Sequence, residues 1–159
     1  MDIWTTKRWQ RYYNLQPHRS GLRVRYEKEV DPEVKRAIND FVCWLRTEYV
    51  FPMRVIMYIK AARRIKAIDG DMVCGTCFRP TDRNNEPYIR ISTGDYPELL
   101  KKRGKDNALA SILYTISHEL THYFQWLNDL ELTLVGEERQ ATNYSSKIIS
   151  NYAETRDHP

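Results

Sequence analysis

The stretch from Asp106 to Leu127, DNALASILYTISHELTHYFQWL, decides how the chain is read. Leu109, Ile112, Leu113, Ile116, Leu120, Phe124 and Leu127 recur every three or four residues, which is the period of a helix burying one stripe. Asp106 is the expected cap. Inside this helix stands His118-Glu119-Leu120-Thr121-His122. One turn takes about 3.6 residues, so His118 and His122 project from nearly the same face, and their imidazoles can share one divalent ion at about 2.0–2.1 Å. Glu119, next to the first histidine, can then sit beside a water on the metal without being a ligand, as a general base must.

Two histidines leave such an ion short of protein ligands, and a third is expected with one position left open for water. A final helix from about Glu137 to Tyr152 follows Gly136, with Ala141, Tyr144, Ile148 and Tyr152 on its apolar side. Packed antiparallel to the first helix, it can aim Glu138 at the histidine pair. Glu137 is the competitor, but it lies about 100° around the helix, and the phase of Ala141, Tyr144 and Ile148 favours Glu138. Thr142, one turn on, is placed to orient a ligand with its hydroxyl. Two imidazoles and one carboxylate favour zinc among the transition ions.

Upstream, Asp31-Pro32 reads as a helix start, with Val34, Ile38, Phe41, Val42 and Leu45 at helical spacing. Met53 to Lys60, Met72 to Phe78 and Tyr88 to Ser92 have the composition of strands, separated by turn signals at Asp69-Gly70 and at Asp82, Asn84 and Asn85. The order helix, three strands, helix, helix implies an α+β fold with a small sheet packed on the histidine helix and its successor. Residues 1–20 form a basic, aromatic arm with Trp4, Lys7, Arg8, Trp9, Arg11, Tyr12 and Tyr13. Its rings are expected to pack on the core of the domain spanning 21–159, with stacking on nucleic acid as the lesser alternative.

A chain of 159 residues, 42% hydrophobic and 29% charged, suits one folded domain and excludes a disordered or collagen-like chain. It has no run of about 18 apolar residues, and its first eleven residues lack the apolar segment of a secretory signal, so no membrane is expected and the expected address is the cytoplasm. The net charge of +4 is uneven: residues 1–66 hold 15 Lys and Arg against 7 Asp and Glu. This asymmetry permits nucleic-acid contact through the N-terminal half. Lys101 to Lys105 reads as a solvated basic loop. Three cysteines are too few for a disulfide framework; Cys74 and Cys77 have knuckle spacing but no second Cys/His pair, so both read as structural thiols, and Cys43 reads as a buried helix residue. His18 and His158 lie near the ends, and Tyr123 and Tyr144 are either cleft donors or core residues.

The segment His118 to His122, followed sixteen residues later by Glu138-Arg139-Gln140-Ala141-Thr142, resembles the gluzincin metallopeptidases. Their pattern is H-E-x-x-H and then E-x-x-x-D or E-x-x-A-[ND] on a second helix, and the small, single-domain minigluzincins and the ImmA/IrrE type are the nearest in look. The resemblance covers roughly Tyr88 to Tyr152. It implies a zincin-like fold, Zn2+ held by His118, His122 and Glu138, Glu119 as general base, and hydrolysis of a peptide or protein substrate. It also implies that Tyr88 to Ser92 is the rim strand that pairs with extended substrate. Thr142 departs from the pattern, where acidic or amide residues are usual. The reading from another class is a catalytically silent zinc-containing module that binds DNA or a regulatory protein.

Overall fold

A computed structural model describes residues 1–159. After two short 3-10 turns come β1 (Leu22–Tyr26), α1 (Pro32–Glu48), β2 (Val55–Lys60), β3 (Ile65–Lys66), β4 (Met72–Val73), β5 (Gly75–Phe78), β6 (Tyr88–Ser92), α2 (Tyr96–Arg103), α3 (Lys105–Leu127) and α4 (Leu134–Ala153). The architecture is mixed helix and sheet, in keeping with an α+β class. Four strands form one sheet in the order β1-β2-β6-β5, while β3 and β4 make a separate hairpin. β1, β2 and β6 run parallel, and β5 runs antiparallel on the edge. No helix is long and apolar enough to cross a membrane.

α1 begins where Asp31 Oδ1 accepts the Glu33 backbone N–H at 2.8 Å, with Pro32 at the first helical position, where its missing N–H costs nothing. α1 is the crossover that a parallel β1–β2 pair requires. One face of the sheet carries Leu22, Val55, Met57, Ile59, Ile89 and Ile91, all buried against apolar residues of α1 and α3 such as Phe41, Leu45, Ile116 and Leu120.

The structure departs from the sequence reading at several points. β1 and α2 are additional elements. The segment Met72 to Phe78 is split between the hairpin and the sheet. Lys101 to Arg103 form the last turn of α2, where cations complement the helix dipole, and Lys105 opens α3, so the basic run is not a loop. Gly104, at φ 80°, makes the bend between these helices and takes the capping position expected of Asp106. α4 begins at Leu134, earlier than Glu137, because Thr133 Oγ1 accepts the Gly136 N–H at 3.0 Å. Cys43 is exposed. Tyr88 to Ser92 is an interior strand between β2 and β5; the edges of the sheet are β1 and β5, and β5 is the edge beside β6.

Residues 1–20 dock through buried Ile3, Trp4 and Trp9, so these indoles are core residues and offer no stacking surface. Trp4 Nε1 donates to Thr121 Oγ1 at 3.1 Å. The Trp9 N–H donates to Asn128 Oδ1 at 3.0 Å, and Asn128 Nδ2 donates to the carbonyls of Ile3 and Phe124. The arm therefore braces the histidine helix from behind.

Candidate metal centre

The α3–α4 turn explains how the site assembles. Asp129 takes φ 52°, and the chain reverses within the few residues that separate the helices. Gln125 then meets Glu137 and Gln140, His118 meets Glu138, and Tyr114 meets Thr142, the descending and ascending order of an antiparallel pair.

Glu138 is the hinge of the cluster. Its Oε2 lies 3.0 Å from His118 Nε2, and its Oε1 lies 3.0 Å from His122 Nε2. The imidazole centroids are 5.0 Å apart with planes at 78°. One ligand atom from each residue falls within 4.8 Å of the others. Two ligands held 2.0–2.1 Å from one tetrahedral ion are about 3.3 Å apart, so the donor set suits zinc and the three side chains would have to draw in slightly from their 4.8 Å spread to hold it. Burial first, and then His122, push the His118 pKa down against the pull of Glu138, which favours the neutral imidazole that a metal ligand must be. Glu137 faces elsewhere: its carboxylate takes Arg79 Nη1 at 3.1 Å.

The side chain that orients His122 is Gln125, and the Thr142 hydroxyl has no part in the cluster. Buried Gln125 accepts at Oε1 from His122 Nδ1 at 2.8 Å, while its Nε2 donates to Glu137 O and Gln140 Oε1, each at 3.0 Å. Those two donations fix which way the amide points. Nδ1 is thereby the donor to Gln125, and Nε2, 3.0 Å from Glu138 Oε1, is the nitrogen turned toward the cluster. The signal was present in the sequence, since Gln125 lies three residues after His122 on the same helix face. Thr142 is exposed and contributes its carbonyl to Tyr114. We expect Gln125→Leu to weaken zinc binding about 10–100-fold with the fold retained, measured by competition with a chromophoric chelator; unchanged affinity would show that the amide has no part in it.

Glu119 is 7% exposed. β5 closes over it: a Cβ at Gly75 would come within 3.0 Å of Glu119 Cγ and 2.9 Å of Thr115 Cγ2, so only glycine lets the strand approach this closely. Burial first, and then the Glu138 carboxylate, push the Glu119 pKa up to about 8, with Arg79 opposing. The folded metal-free chain thus binds this proton more tightly than the unfolded chain does. Its stabilising effect is full below about pH 4.5 and is lost as pH rises through about 8. In metal-free protein, Glu119→Gln should gain on the wild type by on the order of 2–3 kcal/mol between pH 4 and pH 9, at about 1.4 kcal/mol per unit less local relaxation. Urea melts at the two pH values measure this, and parallel curves would contradict it.

The remaining candidates lie outside the cluster. Tyr123 is fully buried and donates to Met53 O at 2.7 Å, and Tyr144 is tied to Met1 O and the Ile3 N–H, so neither is a cleft donor. His158 pairs with Asp106, and His18 is exposed. Cys74 is exposed; Cys77, on β5, has its thiol pKa pushed up by burial and then by the Glu119 carboxylate, so it stays a neutral thiol. Neither joins the metal-competent group. Compared with known proteins, the chain matches no family model, no curated protein and no solved structure.

Proposed function

We propose that the chain is a zinc-dependent peptidase of the gluzincin kind with a zincin-like fold, built on α3 as active-site helix and α4 as glutamate helix. The convergence of His118, His122 and Glu138 on one point carries this reading. Zinc bound there would acidify a water and polarise the scissile carbonyl. Glu119, which holds its own proton up to about pH 8 in the metal-free chain, would ionise beside that cation, take a proton from the attacking water and pass it to the departing amine, so that water is added across the C–N bond. Its depth beneath β5 keeps it out of bulk solvent, which strengthens that exchange.

The antiparallel edge strand β5 presents free backbone N–H and C=O groups to an extended peptide, which can add as a further strand. β5 thus takes the rim role expected of Tyr88 to Ser92. Leu134 and Val135, 80% and 68% exposed, stand about one turn before Glu138 and give the rim of the cleft an apolar side. The substrate class that fits is an unfolded segment with an apolar side chain near the cut.

The test is incubation of zinc-loaded protein with a denatured protein mixture, reading new amino termini. Cleavage that a chelator stops and zinc restores is expected. No cleavage under any metal loading would remove the hydrolase reading and leave a zinc-holding binding module.

A further inference from the structure

The sheet has two unlike faces. The helices cover one, and strand alternation sends the intervening side chains to the other, where only Ser92 at the end of β6 is buried. Parallel strands are ordinarily covered on both faces, and three of these four strands are parallel, so the open face calls for an explanation.

Its composition supplies one. Read across the register, Arg23, Ile56, Tyr88 and Phe78 form one row, and Arg25, Tyr58, Arg90 and Thr76 the next. Lys60 and Ser92 continue it. The first two rows hold no acidic residue; in the third, Glu27 extends the ladder beside Lys60, where its carboxylate accepts the Ala61 N–H at 2.8 Å, and none of the four cations is in a salt bridge. Between the cations lie three rings. Phe78 stacks on Tyr88 at 4.9 Å and 25°, Tyr58 meets Tyr88 edge-on at 6.1 Å, and Lys60 Nζ sits 5.8 Å over the Tyr58 ring. Arg90 is held in place by donation to Lys66 O at 2.8 Å, from the hairpin that borders the face.

We propose that this open sheet face binds single-stranded nucleic acid, with phosphates along the Arg23 and Arg25 edge and bases on Tyr58, Tyr88 and Phe78. Unpaired cations attract a polyanion. Flat rings among them suit a polyanion that also carries free aromatic faces, which a single strand does and a duplex or a lipid headgroup does not. The surface lies across the sheet from α3, so a bound strand leaves the metal centre free. This function is independent of the peptidase reading.

The probe is a fluorescein-labelled oligouridine followed by anisotropy across a salt series. Saturable binding that weakens with salt is expected, tighter than for a duplex of equal length or for phosphatidylserine vesicles. Tyr88→Ala should lose roughly tenfold in affinity with the salt slope kept. Arg23→Glu with Arg25→Glu, at exposed positions that folding tolerates, should flatten the slope by about 0.7 for each phosphate contact removed. Absence of saturable binding at low salt would overturn the proposal. So would duplex or vesicles binding as well as the oligouridine, or Tyr88→Ala and Tyr58→Ala both binding like the wild type.

Discussion

Zinc-loaded Glu119→Gln protein should keep its metal and lose hydrolysis by about 10²–10⁴-fold, the range that a positioned general base contributes. The substitution suits the question because it removes the proton acceptor and almost nothing else. Glutamine has nearly the volume of glutamate, and β5 closes over the side chain at Gly75, where an added Cβ would come within 3.0 Å of Glu119 Cγ. Glu119 contributes no donor atom to the cluster of His118, His122 and Glu138, so the ligand set stays whole. His122→Ala should instead lose metal and turnover together. Turnover by Glu119→Gln at the wild-type rate, measured on the same peptide mixture with zinc content checked, would show that another group moves the proton.

Trp4→Ala should destabilise the fold by about 3–5 kcal/mol, the usual cost of truncating a buried large aromatic. Trp4 is 2% exposed and packs on Phe124 and Tyr49 with centroids at 4.8 and 5.0 Å. The loss would be felt at the site as well. The indole N–H is bound to Thr121 Oγ1, and that hydroxyl also donates to Ser117 O, both inside the helix that carries the histidines. Truncation leaves a cavity behind that turn and one buried hydroxyl with a partner fewer. Denaturant melts read the stability, and a zinc titration on the folded fraction should show weaker binding. A cost under about 1 kcal/mol would mean that the arm is only an appendage.

The contrast between these two residues shows what the sequence made legible. Helix spacing placed His118, His122 and the apolar stripe of α3 correctly, since both depend on contacts within one helix and one period. Glu138 was reachable because a short connection allows little besides an antiparallel return. β1 is not evident from the sequence although Leu22, Val24 and Tyr26 alternate with Arg23 and Arg25, because five residues, two of them charged, give a weak signal beside a long helix. The edge position of β5 could not be read at all. Strand order depends on which pairings the whole chain buries, and Gly75-Thr76-Cys77-Phe78 carries no local sign of lying over Glu119. Gln125 was legible by spacing, but its role rests on Gln140 and Glu137 fixing the amide from another helix. The arm followed the same rule: its tryptophans belong to the core through partners more than a hundred residues away.

If three side chains from two helices make one zinc site, calorimetric titration of zinc into metal-free wild-type and Glu138→Ala protein will separate the two. Glu138 is 63% exposed in its side chain, so its truncation leaves the fold intact and isolates the ligand. One zinc per wild-type chain, with affinity weakened by at least about a hundredfold in Glu138→Ala, is the expected result. Equal binding by the two proteins, or none by the wild type, would mean that Glu138 and the two histidines do not form a shared zinc site.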